Sequence, residues 1–317
     1  MEKKLWQFAT MVLTVKEKRM KRFVKYQNGN YNVVIDTKDG TKVRENDLDF
    51  FKADFPESMD LKITNCCDMG CAMCHENSHK DGLHGDIMSA GFIDKLHPYT
   101  ELAIGGGNPL EHPDLVPFLE KCKKLNLIPS MTVNQVHFMK NRSFIKNLVK
   151  QKLIYGLGVS LVRVTNDFIE ALKEFPNAVI HVINGIVNPL ELEALSGEGL
   201  KILILGYKQF RRGEQLYQEQ GKQIEETKSW LYEKLPQIIN DGWFEVVSFD
   251  NLAIKQLDAQ RLMSNEDWEQ FYMGDDGSAT MYVDMVNREF AKSSTSTDRY
   301  FLEDDIVNMF EKIRANV

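Results

Sequence analysis

Residues 61–86, LKITNCCDMGCAMCHENSHKDGLHGD, contain four of the five cysteines of this 317-residue chain. The four thiols lie within nine residues of one another, at Cys66, Cys67, Cys71 and Cys74. An apolar segment that begins at Met59 precedes them, and a polar tail rich in Gly and His follows. Because thiolates are preferred ligands of soft metals and of iron–sulfur clusters, this stretch predicts a metal centre.

The chain from Met59 onward alternates short apolar β-rich runs with amphipathic stretches. The runs predict strands at 59–64, 101–105, 129–133, 155–161, 178–183 and 200–205. The stretches between them predict helices at 89–97, 113–126, 141–150, 166–174 and 189–195. Six consecutive β/α repeats predict a parallel sheet with right-handed crossovers, in either a barrel or an open doubly wound form. In both forms the chemistry lies at the carboxyl ends of the strands, where the cysteines follow the first strand.

Two further regions flank these repeats. At the N-terminal side, residues 1–25 read as helical or irregular, and 31–44 read as a β-hairpin. An acidic segment then ends at Pro56, a predicted boundary. After Gly206 the pattern predicts a helix at 222–240, a strand at 243–249, partly helical residues 251–273, a hairpin at 278–294 and a helix at 303–314. The resulting organisation is an N-terminal appendage (1–57), a core (58–206) and a C-terminal extension (207–317).

Composition indicates a soluble protein of the cytoplasm. Hydrophobic residues make up 43% and charged residues 27% of the chain, and the net charge is −7, which argues against general nucleic-acid binding. No apolar run approaches the roughly 20 residues of a membrane span. The basic N-terminus has an interrupted apolar centre and no small-residue cleavage site, so we expect no secretion. An odd, mostly clustered set of cysteines favours a metal site in a reducing compartment over a disulfide framework.

The cysteine spacing is compatible with three kinds of metal site. Cys67, Cys71 and Cys74 form a C-x3-C-x2-C pattern. Starting from Cys66 instead gives C-x4-C-x2-C, which with the distant Cys122 would imitate a plant-type ferredoxin site. A structural zinc on the C-x3-C-x2-C thiols and His75 is the third possibility. The cysteines follow the first strand of a β/α series, and this position favours the C-x3-C-x2-C pattern. Cys66 and Cys122 are then expected to be packing residues.

The segment CDMGCAMC resembles the cluster motif of the radical S-adenosylmethionine (radical SAM) enzymes. With one such motif, the chain resembles the members of that family that hold a single cluster. The resemblance implies a partial (β/α)6 barrel, with a small β-hairpin appendage and an α+β extension around it. It also implies a [4Fe–4S] cluster held by Cys67, Cys71 and Cys74, with an open iron that binds S-adenosylmethionine. No cysteine follows Cys122, so no second cluster is predicted.

The activity implied by the resemblance is reductive cleavage of S-adenosylmethionine to a 5′-deoxyadenosyl radical, which abstracts hydrogen from a substrate. We expect an oxygen-sensitive enzyme that receives electrons from a donor such as flavodoxin or ferredoxin. Its substrate is a small molecule, nucleoside or peptide. One alternative is an activating enzyme that generates a glycyl radical on a partner protein. The non-enzymatic alternative is an iron–sulfur electron carrier or sensor that uses the same cysteines.

The second strand ends in IGGGNP, where a glycine run allows close approach to the backbone and leaves N–H groups unhindered. Gly106, Gly107 and Asn108 match the family's Gly-Gly-Glu-Pro-like segment, which binds the methionyl amine, except that Asn replaces Glu. An Asn carbonyl accepts from an ammonium without charge assistance. Other cofactor contacts that the resemblance implies are Met73, Ser160, Asn184, Ile186 and Tyr207.

Residues specific to this chain follow the cysteines and the later strands. His75 and Glu76, together with His79 and His84, make an unusually polar loop and are candidates for substrate contact or catalysis. Arg212, with Lys208 and Arg211 before it, suits a carboxylate or phosphate. At the seventh strand end, Asp250 is a further catalytic candidate, and with Asn251 and Lys255 it is expected to line the mouth of the barrel. The hairpin at 278–294 is expected to cover the open side of the barrel.

Overall fold

The computed structural model describes residues 22–38, 41–48 and 50–315. Two compact units divide the chain, one ending at Asp54 and the other beginning at Phe55. In the described part of the chain, no helix combines the length and apolar character needed to cross a membrane.

The N-terminal unit contains a three-stranded antiparallel sheet in the order β1-β2-β3. Its strands are β1 (Phe23–Asn28), β2 (Tyr31–Asp36) and β3 (Lys42–Glu45). The β2–β3 pair confirms the predicted hairpin. The helical or irregular prediction for 1–25 is wrong at its end, where β1 begins, and residues 1–21 lie outside the described part. Polar side chains hid this strand, because β1 is paired on one side only and buries little of its surface.

The C-terminal unit is built on a ten-stranded sheet in the order β10-β9-β8-β7-β6-β5-β4-β11-β12-β13. Its strands are β4 (Ser58–Thr64), β5 (Glu101–Gly106), β6 (Ile128–Asn134), β7 (Gly156–Ser160), β8 (Ala178–Ile183), β9 (Lys201–Leu205), β10 (Val246–Phe249), β11 (Thr280–Asp284), β12 (Glu289–Ala291) and β13 (Tyr300–Phe301). Neighbours from β10 through β4 to β11 are parallel. A large parallel sheet in an α/β chain is therefore present, and the six core strands and the later strand at β10 lie where the sequence predicts them.

Helices connect most of the parallel strands, and a final helix follows the last strand of the sheet. They are α1 (Leu115–Lys124), α2 (Gln135–Lys150), α3 (Asn166–Lys173), α4 (Pro189–Glu193), α5 (Arg212–Asn240), α6 (Asn251–Leu257), α7 (Asn265–Phe271) and α8 (Ile306–Arg314). The predicted helix at 89–97 is a short 3-10 turn, Gly91–Lys95. Helix α5 begins ten residues before the predicted start at 222, with non-helical backbone at Gln220 inside it. Polar residues fill that first part, which the apolar pattern alone did not reveal.

The two faces of β4 differ sharply. Met59, Leu61 and Ile63 are at most 1% exposed and belong to the main hydrophobic core. Asp60 and Lys62 alternate with them and point to the opposite side, because successive strand side chains face opposite ways. We call that side the inner face of the sheet. It carries charge in the middle of the sheet, whereas the outer face carries the apolar core.

The predicted hairpin at 278–294 is present as β11 and β12. Its first strand pairs in parallel with β4, with Tyr282 opposite Asp60. The hairpin therefore extends the sheet beyond its first core strand, and Ser294 at its end contacts Lys208 after β9. The pairing is long-range, and no local pattern encodes which strand edge a hairpin joins.

Candidate functional site

The cysteine loop follows β4 and folds back on the end of that strand. Its backbone is held by hydrogen bonds from Asn65 N to Leu83 O (2.8 Å) and from Cys67 N to His79 O (2.9 Å). Gly82 lies so close that an added Cβ would be 2.0 Å from the carbonyl oxygen of Asn65. Only glycine permits that approach, so the Gly- and His-rich tail first serves to close the loop.

None of the five cysteines forms a disulfide. Cys67, Cys71 and Cys74 are partly exposed, and burial, followed by the neighbouring Cys71 and Cys74 thiols, raises the pKa of Cys67. Cys66 instead directs its sulfur to the carbonyl oxygen of Lys80, at 3.2 Å. The thiols of Cys67, Cys71 and Cys74 are near enough to affect one another's pKa values, and the Cys66 sulfur is directed elsewhere.

Of the two alternative metal sites, the ferredoxin-type set does not fit this geometry, and the zinc set finds one nitrogen of its histidine already engaged. Cys122 is fully buried on α1 inside the hydrophobic core, so it is not available to complete a ferredoxin-type set. His75 has its Nε2 atom 3.3 Å from Glu76 Oε1 and 3.4 Å from Lys208 Nζ, which turns that nitrogen toward polar groups of the protein. Both observations favour the three-thiol pattern.

A contact that the sequence analysis missed lies beside Cys67. The Nε2 atom of buried His137 is 2.6 Å from Asp68 Oδ1, and these two atoms and the Cys67 sulfur all lie within 4.8 Å of one another. The hydrogen bond from His137 lowers the pKa of Asp68. His137 lies at the start of α2, far from the cysteines in sequence, and its motif carries no signal that links it to them.

The glycine run after β5 packs against the cysteine loop. Gly107 N donates to Thr64 O and Asn108 N donates to Cys66 O, both at 2.7 Å. Gly106 has φ of +111°, and a Cβ on Gly107 would lie 2.3 Å from Cys66 O. The glycines therefore allow two backbone segments to touch, and the amide groups of Gly107 and Asn108 already have protein partners.

Asn108 itself is 1% exposed. Its side-chain oxygen accepts from Leu110 N at 3.3 Å, and its amide nitrogen donates to Glu111 Oε1 at 3.3 Å. The residue thus caps the short turn Pro109–Glu111. An exposed carboxylate, Glu111, is held near Cys66, whose pKa is raised by burial and then by this charge.

A buried charge network supports the cysteine loop from the inner face. The Lys62 ammonium is 2.9 Å from Glu76 Oε2 and 3.1 Å from Asp284 Oδ2. The Tyr282 hydroxyl donates to Glu76 Oε1 at 3.0 Å, and Arg211 approaches Glu76 Oε2 at 3.5 Å. Burial opposes ionisation of Glu76, but hydrogen bonds and positive charges from its neighbours outweigh it and lower the pKa. Glu76, predicted as a catalytic candidate, is thus the centre of a network that joins the loop, β4 and β11.

The segment after β9 reaches the same loop. Lys208 Nζ donates to Ser294 Oγ at 2.8 Å, and Arg212 donates to Ser78 O at 2.6 Å. The Nε atom of Arg212 is buried without a partner among the described residues. Burial raises the pKa of Cys71, and the positive charge of Arg212 offsets part of this increase. Arg212 therefore lies beside the cysteines, as a candidate site residue should.

Several predicted cofactor contacts gather in a second, smaller apolar cluster. Met73, Ile186 and Tyr207 pack in this cluster, together with residues of α5. Gln256 links Tyr207 to Asn184, since it bonds the Tyr207 backbone and accepts from Asn184 Nδ2 at 3.1 Å. The Oδ1 atom of fully buried Asn184 has no partner among the described residues. An unpaired buried acceptor is costly, which makes this point suitable for a ligand donor.

The remaining predicted residues lie at strand ends. Ser160 is the last residue of β7 and is half-buried. Asp250 caps α6, because its carboxylate accepts from Ala253 N (2.7 Å) and Gly206 N (2.8 Å). Burial raises the pKa of Asp250. A carboxylate engaged by two backbone amides has a positional role in the fold, and the structure does not bring it into the cysteine loop's network.

No known protein-family model and no curated protein sequence matches the chain. Solved structures of SuiB from Streptococcus suis match its fold, with a TM-score of 0.61 and 11% identity for the structure bound to S-adenosylmethionine. That match covers 94% of this chain and 90% of SuiB. The structure of SuiB bound to precursor peptide SuiA matches with a TM-score of 0.59 and 12% identity, over 91% of this chain and 87% of SuiB. The fold of this chain is therefore that of SuiB across nearly its whole length.

Proposed function

We propose that this protein is a radical SAM enzyme. Cys67, Cys71 and Cys74 would hold a [4Fe–4S] cluster, and S-adenosylmethionine would bind between this cluster and the strand ends. The observation that carries the proposal is the set of three unpaired, partly exposed thiols on the loop after β4. The fold likeness to SuiB, which has been crystallised with S-adenosylmethionine, supports it.

The residues present fit such a cofactor pair. Three free thiols, with the fourth directed at Lys80 O, leave one metal position for a ligand, as a reactive metal site needs. When bound, the cluster would supply the electron that cleaves the sulfonium C–S bond of S-adenosylmethionine, giving methionine and a 5′-deoxyadenosyl radical. An external one-electron donor such as flavodoxin or ferredoxin would reduce it.

The chain's own residues would bind and orient the cofactor. Met73 and Ile186 offer an apolar surface to an adenine ring, and the free Asn184 oxygen offers an acceptor. Asn108 caps a turn, so we assign the charge that faces the methionyl ammonium to Glu111, the exposed carboxylate it holds. Arg212 would favour the thiolate form of Cys71.

The reaction that follows is hydrogen abstraction from a substrate that is a small molecule, nucleoside or peptide. SuiB binds a precursor peptide, which keeps a peptide among these classes. Because Lys62, Glu76 and Tyr282 hold the loop from the inner face, we place the substrate on that face.

The test is anaerobic incubation of reconstituted, dithionite-reduced protein with S-adenosylmethionine, followed by quantification of 5′-deoxyadenosine and methionine. Wild type should form both products, and Cys71→Ala should form neither. Cys66→Ala is the matched control, because its sulfur faces Lys80, and it should retain iron and cleavage. Absence of cleavage in wild type contradicts the proposal and favours an electron carrier or sensor, and cleavage that survives in Cys71→Ala contradicts the assignment of the three thiols as the cluster ligands.

A further inference from the structure

The inner face of the sheet leaves open space beside β4. The residues opposite Asp60 and Lys62 on β5 are Ala103 and Gly105. Ala103 is exposed although its strand lies inside a ten-stranded sheet, and a Cβ added to Gly105 would meet no atom within 4 Å. Gly156 on β7 continues this run of small side chains, since it pairs with Ser130 of β6. Small residues on three strands make room for a ligand.

Asp60 borders this space without a partner. Its side chain is exposed, although β5 and β11 pair with its strand on both sides. Its carboxylate makes no hydrogen bond or ion pair with any described residue. Surrounding protein desolvates it and raises its pKa to about 6, while the Lys208 charge acts in the opposite direction. An accessible yet desolvated carboxylate is characteristic of the wall of a cavity.

Lys208 is the corresponding cation. Its ammonium contacts Ser294 and His75, and no carboxylate of the described residues lies within 4.0 Å of it. His75 in turn lies 3.3 Å from Glu76, which accepts a hydrogen bond from Tyr282, the residue opposite Asp60 on β11. Lys208 and Asp60 therefore lie at the two ends of one chain of contacts without forming an ion pair, and the Lys208 charge acts to lower the pKa of Asp60.

We propose that the inner face binds a dipolar group, with an ammonium or guanidinium beside Asp60 and a carboxylate beside Lys208. The ligand class is an amino acid or a closely similar ω-amino carboxylate. This inference rests on the proposed function in one respect, because it takes the bound dipolar group to be part of the enzyme's substrate.

Electrostatics favours this class over ligands with a single charge. A ligand with only a positive charge would be attracted by Asp60 but repelled by Lys208. A ligand with only a negative charge would be attracted by Lys208 but repelled by Asp60. A dipolar ligand satisfies both charges and leaves none unpaired in a desolvated place. The inner face carries Ala and Gly beside Asp60, so the ligand and not a protein side chain fills the gap.

The test measures binding directly, with saturation-transfer NMR on reconstituted full-length protein. The probes are glycine, 4-aminobutyrate and 6-aminohexanoate, compared with hexanoate and hexylamine at constant ionic strength. At least one dipolar probe should bind about tenfold more tightly than either singly charged probe, since a charge-assisted hydrogen bond is worth about that factor.

Two variants assign the ends of the ligand. Asp60→Asn should weaken binding of the dipolar probe and of hexylamine about tenfold and should not weaken binding of hexanoate, which no longer meets a like charge. Lys208→Gln, which can still bond Ser294, should weaken binding of the dipolar probe and of hexanoate and should not weaken binding of hexylamine. Asp167→Asn on α3 and Lys222→Gln on α5 are matched surface controls. Each variant should still bind the singly charged probe that pairs with its remaining charged residue, and this binding shows that the variant is folded.

Equal affinity for all three probe classes, no binding by any probe, or unchanged affinities in both variants would overturn the inference. Cleavage of S-adenosylmethionine is measured separately on the same preparations. Charge-selective binding without cleavage leaves the site standing and refutes the proposed function. Cleavage without charge-selective binding refutes the site and leaves the proposed function standing.

Discussion

The two faces of β4 show how one strand serves stability and chemistry together. On the outer face, Met59, Leu61 and Ile63 are buried in a large apolar core. On the inner face, Asp60 is exposed and unpaired, whereas Lys62 is buried between two carboxylates. The outer face tolerates any apolar side chain of suitable volume, but the inner face depends on particular charges. Because of this difference, a substitution in this strand can reduce function without reducing stability.

The largest effects should come from the buried positions on either side of the strand. Lys62→Met leaves Asp284 buried without its cation and leaves Glu76 with only the more distant Arg211, so we expect a loss of about 3–5 kcal/mol in the free energy of unfolding. Leu61→Ala should cost a similar amount, about 2–5 kcal/mol, through a cavity. Urea unfolding of the apoprotein measures both. After reconstitution, Lys62→Met should also bind less iron than Leu61→Ala, and equal iron contents would contradict a role of the inner face in holding the loop.

Alanine substitutions of the two adjacent glycines on β5 should differ in their effect on stability. Gly106→Ala places a Cβ 2.4 Å from Thr64 O at a φ of +111°, so it should cost about 1–3 kcal/mol. Gly105→Ala places its Cβ in open space and should change stability by less than about 1 kcal/mol. Thermal unfolding separates them. A large loss of stability for Gly105→Ala would show that the space beside it is filled by protein.

Removal of the Tyr282 hydroxyl should have an intermediate effect. Tyr282→Phe deletes a hydrogen bond to Glu76, and we expect a loss of about 1.5 kcal/mol, because Lys62 still pairs with the carboxylate. The double variant with Lys62→Met should lose less than the sum of the two single losses, since both act on Glu76. A double-mutant cycle by urea unfolding checks this, and strict additivity would show that the network is not one unit.

The smallest effect should be the pH dependence that Asp60 confers. Its pKa is about 6 in the folded chain and about 3.9 when unfolded, so the folded state binds more protons between these values. Stability contributed by the protonated form is present below pH 4 and is lost as pH rises through 6. Asp60→Asn should therefore raise the melting temperature at pH 7.5 but not at pH 4. Asp167→Asn, an exposed control, should shift it at neither pH.

Local patterns predicted the main architecture well. The apolar strands β4 to β9 were recognisable because burial by helices on the outer face requires continuous apolar side chains there. The three-cysteine loop was recognisable because four thiols in nine residues rarely serve packing alone. The strand β1 and the first part of α5 were missed, because their polar sequences carry little periodicity.

The site beyond the cysteines depended on contacts between distant segments. Nothing in the sequence near His137 links it to Asp68, and nothing near Tyr282 links it to Glu76. Asn108 was predicted to contact a ligand, and the sequence did not reveal that its oxygen also accepts a backbone N–H in a turn. Which of several possible partners a polar side chain takes is settled only when the strands are placed side by side.

The sequence by itself determined the α/β class, the positions of the six core strands along the chain and the position of the three thiols after the first of them. These features follow from periodicity and from local spacing, which any short window of the chain contains. Only the tertiary structure decided that β11 joins β4, that Lys62 lies between Glu76 and Asp284, and that Asp60 stays unpaired on an open inner face. Strand pairing and charge pairing bring together residues more than 200 positions apart, as for Lys62 and Asp284, and no local pattern records such distances.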